Sequence, residues 1–338
     1  MQSHRFRELA VVAIAIAITG CGAATPGDMN GSASGDRTMS KLSVGHDAWV
    51  SVSVATLWHT SDSPRSVDAP ALANPVRMGD WLSAMTLGQR RGLSGRADTE
   101  ALLGDRVRVL RLTRRWVRVA VPSQPSPLDR RGYPGWVPRR QLSPIAPVRE
   151  SRQATVLART AWLRADAAGS RRLVRVSFGT RLPVLSVGVR YLRVSAPGGQ
   201  TRRLARKVVV VHRTGTPAIA PSRRSLVGTA HAFVGLAYLW SGLSGFGVDC
   251  SGLTWLDYRV HGIRIPRDAA PQSRNGAPVA IPRRGDLLFY ASGGVVHHVA
   301  MYVGNGMMVH APRTGSTVQV VPTSTMAAEY ARARRYLP

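Results

Sequence analysis

Arg106–Leu112 reads RVRVLRL and Trp116–Val121 reads WVRVAV, with three residues between the two runs. Apolar and basic residues alternate with a period of two. That pattern suits a strand pair with one buried face, carrying Val107 and Val109 on one strand and Val117 and Val119 on the other. Short runs at Ala101–Leu103 and Gly135–Val137 flank the pair. Turn residues break them up, as in a small all-β barrel. The 33 Gly and 22 Pro of the chain favour short strands over long helices throughout. Upstream, His46–Leu57 alternates like a strand and Asp62–Pro75 reads as a loop. Met78, Trp81, Leu82 and Met85 have helical spacing within Val76–Arg91.

A second stretch, Gln153–Arg213, repeats the theme. FGTRLPVL (178–185) and YLRVSAPGG (191–199) match the strand, turn and strand of the preceding stretch, with Tyr191, Arg193 and Val208, Val210 as its alternating positions. Thr214–Arg224 is a Pro-containing linker. Ser225–Phe233 reads as a helix begun by a Ser cap, Gly235–Gly247 as irregular, and Cys250–His261 as a helix stopped near Gly262. Strands are expected at Asp286–Tyr290, Val295–Val303, Met307–Ala311 and Thr317–Val321. A helix followed by an antiparallel sheet makes an α+β layer. A length of 338 residues allows two to three domains.

Lys and Arg total 46 against 18 Asp and Glu, a net charge of +28, and Lys41 and Lys207 are the only lysines. Such a balance implies anionic surroundings, either wall polymers or membrane headgroups. No long basic block or nucleic-acid motif accompanies it, so nucleic acid is not expected as a partner. Residues 1–21 read MQSHRFRELAVVAIAIAITGC. Arg5 and Arg7 precede the apolar run Leu9–Thr19, which is shorter than the roughly 20 residues that span a bilayer and fits an export signal. Ile18-Thr19-Gly20-Cys21 resembles a bacterial lipobox. That resemblance implies cleavage before Cys21, lipidation of its sulfur, and anchoring to the outer face of a bacterial membrane in the cell envelope. Gly22 to Val44 is then a flexible tether.

The chain has two cysteines. With Cys21 lipidated, Cys250 has no disulfide partner, and a lone thiol in an exported protein invites a catalytic explanation. It sits in VDCSGLTWLD (248–257), at the start of a short amphipathic run. There, helix N–H groups and the dipole favour a thiolate. A buried structural cysteine is the competing reading, but it leaves the DCSG grouping without a reason. A base is available in VVHHVAMYVGNGMMVHA, where Asn305-Gly306 signals a hairpin. His298 and His310 share a face only if the turn is bulged or three residues long; a strict two-residue turn sets them on opposite faces. Three scattered ligands without a close-spaced motif argue against zinc, and neither metal nor cofactor is expected.

DCSG (249–252) together with HVAMYVGNGMMVHA (298–311) resembles the NlpC-type cell-wall cysteine peptidases, a papain-like α+β fold, over residues 225–338. The resemblance implies that Cys250 is the nucleophile, His298 the base and His310 its orienting partner. Tyr238 would lie beside the nucleophile and Asp249 and Ser251 would contact substrate. Ile265-Pro266-Arg267, Gln272 and Arg284-Gly285-Asp286-Leu287 agree further. Trp240-Ser241-Gly242 departs from the family's Trp-Gly-Gly, and His297 matches no functional position. GDRVRVL (104–110), WVRV (116–119) and GYPGWVPRRQL (132–142) resemble a bacterial SH3-type domain over about 76–146, and Gln153–Arg213 a second. The expected organisation is a signal at 1–21, a tether at 22–44, an N-terminal extension with the first SH3-type domain at 45–149, the second at 150–213, a linker at 214–224, and the peptidase domain at 225–338.

Two SH3-type domains before such a domain resemble the γ-D-glutamyl-L-diamino-acid endopeptidases, of the dipeptidyl-peptidase VI type. They cut peptidoglycan stem peptides that have a free N-terminal L-Ala. The resemblance places Tyr133 and Asp98, with Glu100 as the alternative acid, at the substrate's free amine. It implies a monomeric exported peptidase. Two other readings stand beside it: a non-catalytic wall-binding lipoprotein, and an amidase or acyltransferase using the same three residues.

Overall fold

The computed structural model describes residues 41–167 and 170–337. The expected signal, Cys21 and all but the last four residues of the tether lie outside them. The first sheet is built from β1 (Asp47–Val50), β2 (Val54–Trp58), then, after the short helices α1 (Ala69–Leu72), α2 (Met78–Ala84) and α3 (Leu87–Arg91), β3 (Ala97–Leu102), β4 (Arg106–Leu112), β5 (Trp116–Val121), β6 (Tyr133–Pro138) and β7 (Leu142–Ser143). Its order is β3-β2-β6-β5-β4-β1-β7. The stretch ahead of residue 76 is therefore no appendage, because β1 and β2 are strands of the barrel itself. Val107, Val109, Val117 and Val119 are all buried, as their alternation requires.

The second sheet comprises β8 (Arg152–Val156), β9 (Thr160–Ala165), β10 (Arg172–Ser177), β11 (Arg181–Val187), β12 (Tyr191–Ala196), β13 (Gln200–Ala205) and β14 (Val209–Arg213). Its order, β10-β9-β13-β12-β11-β8-β14, is the first order with seven added to every strand. The two SH3-like barrels are thus a topological repeat. Tyr191 and Arg193 do not face the core of the second; Leu192 and Val194, the alternate set, are buried there. The Tyr191 ring instead lies under the Arg164 guanidinium, 5.6 Å from its centroid.

The last domain opens with α4 (Arg223–His231), followed by β15 (Leu243–Ser244), β16 (Gly247–Val248), α5 (Cys250–Val260) and α6 (Ala269–Arg274). Its six-stranded sheet consists of β17 (Ala277–Val279), β18 (Leu287–Ser292), β19 (Val295–Gly304), β20 (Met307–His310), β21 (Gln319–Pro322) and β22 (Tyr330–Arg335), in the order β17-β22-β18-β19-β20-β21. The cap of α4 is Ser222 rather than Ser225. Ser222 Oγ accepts the Ser225 N–H at 3.0 Å, which starts the helix inside the expected linker.

All eleven residues of α5 are buried. Leu253, Trp255 and Leu256 contribute roughly 1.5–3 kcal/mol each by leaving water. One continuous core joins the first barrel (Trp58, Trp81, Leu102) to this domain (Leu239, Leu243, Leu256), whereas the second barrel keeps a core of its own. The second barrel docks closely all the same. Gly245 donates its N–H to Ser177 Oγ at 2.8 Å, and a Cβ there would fall 1.6 Å from the Arg159 carbonyl oxygen. The barrels and the last domain form one compact unit.

Candidate active site

Asp249 is the N-cap of α5. Its side chain accepts the Gly252 N–H at 2.6 Å. Gly252 is required because a Cβ would lie 2.0 Å from the Gly242 carbonyl oxygen, which also accepts the Asp249 N–H at 3.0 Å. The DCSG sequence thus sets the first turn of the helix against the preceding loop, with Cys250 at its first position. The Val299 N–H, on β19 one residue after His298, acts on the Cys250 sulfur to favour its thiolate. Cys250, His298, His310 and Tyr238 line one cavity of about 500 Å³. A neighbouring cavity of about 600 Å³ shares Tyr238, Pro312, Arg313 and Ser316 with it. That cavity extends the groove toward Leu87 and Arg91 of the first barrel.

A bulge decides the hairpin register. Met301 faces Val309 and Tyr302 faces Met308, but Gly304 faces Met307, so Val303 is an extra residue on β19. Gly304, Asn305 and Gly306 all take positive φ to close the turn. The extra residue shifts the register by one and brings both imidazoles to one face, where His298 Nε2 lies 2.9 Å from His310 Nδ1. His310 Nε2 in turn lies 3.4 Å from the Gln319 side-chain amide on β21. His297 points the other way, half exposed at the rim, with Glu329 at 3.6 Å.

Burial opposes the thiolate expected from the helix N-terminus. Burial, with the Asp249 carboxylate adding to it, pushes the Cys250 thiol up to about 12. This outweighs the Val299 and Ser251 N–H groups and the Arg267 charge. Burial also lowers His298 to about 3 and His310 to about 4. Both shifts favour a neutral thiol beside a neutral imidazole before substrate enters. The Tyr238 hydroxyl, raised by burial and by its closeness to Cys250, stays a donor.

Arg267 ties this centre to the first barrel. Its guanidinium donates to Asp249 Oδ2 at 2.8 Å, Ser251 Oγ at 2.9 Å, the Ser241 carbonyl at 2.9 Å and, across the domain boundary, Thr99 Oγ1 at 2.9 Å. Asp249 and Ser251 therefore spend much of their hydrogen-bonding capacity on the scaffold. Thr99 and its neighbour Glu100 lie on β3. Glu100 is wholly buried and accepts the Leu243 N–H at 2.9 Å, which removes it as an acid for a substrate amine. Asp98, beside a bulge in the same strand, remains partly open and lies 3.2 Å from His59 Nδ1. The Tyr133 hydroxyl on β6 lies near Asp268, next to Arg267, and the charges of Asp98 and Asp268 both act on Tyr133. Burial raises the carboxyls of Asp98 and Asp268 above the usual range, with His59 and Arg267 respectively opposing it. Sequence reasoning passed over Asp268 and Gln319. Asp268 follows the Ile-Pro-Arg stretch it did single out, and Gln319 stands directly opposite His310 in the sheet.

Comparison with known proteins agrees in both halves. Residues 235–335 match the NlpC/P60 family and residues 156–212 match the YKFC SH3b2 domain. The γ-D-glutamyl-L-lysine dipeptidyl-peptidase of Bacillus cereus (strain ATCC 10987 / NRS 248) is 42% identical over 303 residues, 86% of this chain and 91% of that protein. The Bacillus subtilis (strain 168) protein of the same name is 37% identical over 276 residues, 79% of this chain and 90% of its own. The crystal structure of an NlpC/P60 family protein from Bacillus cereus ATCC 10987 superposes with a TM-score of 0.82 at 41% identity. It covers 87% of this chain and 100% of that one. A papain-like domain behind two SH3-type barrels is the build of a modular cysteine peptidase. With relatives this similar over nearly their whole length, the chain belongs to the NlpC/P60 family.

Proposed function

We propose that this chain hydrolyses peptidoglycan stem peptides at the bond between γ-D-Glu and the diamino acid, and that it requires a free N-terminal L-Ala. The observation that supports this reading is that Asp98, Tyr133 and Asp268 lie close enough for their charges to act on one another, beside Arg267. This group is joined through Arg267 and Asp249 to Cys250. Carboxylates held partly out of water gain most from an ammonium ion, and they reject an acylated amine that brings no charge. Of the two acids that the strand offered, Asp98 takes this role.

In the chemical step, the Cys250 proton passes to His298 as the sulfur attacks the γ-carbonyl. Nε2 of His298 is committed to His310, so Nδ1 is the nitrogen that receives the proton. To do so, His298 carries its resting hydrogen on Nε2 and donates it to His310 Nδ1. The hydrogen of His310 then sits on Nε2, and the Gln319 amide, whose nitrogen stands 3.4 Å away, turns its oxygen toward it to accept. The Cys250 N–H and the Tyr238 hydroxyl stabilise the tetrahedral oxyanion. Collapse breaks the C–N bond, His298 protonates the leaving amine, and a water activated by the same imidazole hydrolyses the thioester.

Wild type should release L-Ala-D-Glu from L-Ala-γ-D-Glu-diaminopimelate or the lysine peptide, as read by mass spectrometry, and Cys250→Ala should not. N-acetylation of the substrate should lower kcat/KM by at least 100-fold, a difference that Asp98→Asn narrows. Equal turnover by Cys250→Ala sinks the triad, and indifference to acetylation sinks the amine subsite. For the N-terminus we propose export and lipid anchoring at Cys21, with the basic surface held against anionic wall polymers or headgroups. Metabolic labelling with a palmitate analogue should be lost in Cys21→Ala, and unchanged labelling overturns that part.

A further inference from the structure

A cavity of about 720 Å³ lies where the two barrels and the last domain meet, away from Cys250. Five arginines line it, Arg106 from the first barrel, Arg149 and Arg181 from the second barrel and the segment leading into it, and Arg259 and Arg264 from the last domain. The carboxylates lining it are Asp105 and Glu150. Arg106 is neutralised by Asp47 at 3.0 Å. Arg259, whose side chain is 7% exposed, pairs with Asp105 and stacks on Trp255 at 5.1 Å. Arg181 pairs with no carboxylate among the described residues. Its guanidinium donates to the Arg259 backbone carbonyl, and the acid that acts on it, Asp105, is the one already paired with Arg259. The Nε of Arg181 and the Nε of Arg259 are both buried without an acceptor among the described residues. Burial and the neighbouring Arg259 charge depress Arg181 to about 10, which shows the strain of the pair.

Two guanidiniums on one carboxylate leave an uncompensated buried charge, a costly arrangement unless an anion completes it. The cations come from different domains. A planar carboxylate fits a single guanidinium fork, whereas a tetrahedral group presents oxygens in several directions and bridges several forks. We propose that this junction is a binding site for a phosphate group, with Arg181 and Arg259 as its floor and the exposed Arg149 and Arg264 at its rim. A phosphate bound there touches all three domains and tightens their packing.

The test uses the whole folded chain. Thermal unfolding is followed in inorganic phosphate, in glycerol 3-phosphate and in a bis-glycerol phosphodiester, each against chloride at equal ionic strength, with affinities from calorimetry. Phosphate should raise the midpoint by several degrees beyond chloride. Arg149→Ala/Arg264→Ala should weaken binding at least tenfold while leaving peptide cleavage unchanged, and Arg181→Gln should abolish the effect. A control that removes the same charge elsewhere, Arg114→Ala/Arg115→Ala, should retain it. Binding of the diester as well as the free ion assigns the site to a polymer repeat, and binding of the ion alone assigns it to a small anion. Stabilisation no greater than in chloride, or equal loss in the control pair, overturns the proposal.

Discussion

Cys250 shows how far burial can override a helix terminus. A thiol raised to about 12 beside an imidazole lowered to about 3 holds its proton until substrate enters. Alkylation of the free enzyme by iodoacetamide should therefore keep accelerating, close to tenfold per pH unit, from pH 7 to pH 10. A rate that plateaus below pH 7 would reveal a standing thiolate–imidazolium pair instead. Glu100 makes a second pH-dependent contribution. Burial, opposed by the Leu243 N–H and Ser244, lifts its carboxyl from 4.5 to about 7. Between those values the folded state binds more protons than the unfolded one, so stability is greatest below the unfolded value. It falls as pH rises toward 7 and changes no further above it. Glu100→Gln keeps the acceptor for Leu243 without the charge. At pH 8 it should be more stable than wild type by about 2 kcal/mol, with little difference at pH 4.5. Urea titrations at the two pH values check this, and a difference that is the same at both would refute it.

At the level of elements, the loop between α4 and α5 carries one local misfit. Ser241 adopts φ 65°, its carbonyl is held by Arg267, and its hydroxyl is buried without a partner. A left-handed residue with a Cβ costs about 1 kcal/mol. Ser241→Gly should therefore raise stability by about that amount without altering KM, as measured by denaturant midpoints and steady-state kinetics. An unchanged or lower midpoint would show that the serine is accommodated without strain. Most elements near the site were legible in the sequence because their signals are local. The DCSG turn has an N-cap and a required glycine, and the valine alternation of β4 and β5 has a single consistent face. The hairpin register was not legible, because the bulge at Val303 comes from how β19 sits against β20. β22 was missed altogether. YARARR alternates alanine with arginine and carries no apolar period, although the strand lies inside the sheet between β17 and β18. The differing exposure of Asp98 and Glu100 also lay beyond the sequence, since it rests on a bulge and on the loop that covers Glu100.

On the scale of the molecule, the domains named by sequence are not the units that hold the structure together. The first barrel and the last domain share a core that runs from Trp58 and Trp81 to Leu253 and Leu256, and the second barrel has a separate one. Native-state hydrogen exchange in rising denaturant should show amides of β3 and α5 merging into one opening reaction, with β12 and β13 of the second barrel exchanging through a separate, lower-energy one. Independent opening of β3 while α5 stays protected would contradict the shared core.

Arg267 binds Thr99 with one nitrogen and the cap of the catalytic helix with the others, so two nominally exchangeable modules own one buried cation. Replacing the first barrel with an unrelated one would strand that cation, and the chimera would fail at folding before its selectivity could be tried. Diversification of such a chain by domain shuffling is blocked at this joint. Change in what the groove accepts is left to single substitutions among the residues that line it, such as Leu87, Arg91 and Arg313, which lie outside the hydrogen bonds of the shared guanidinium.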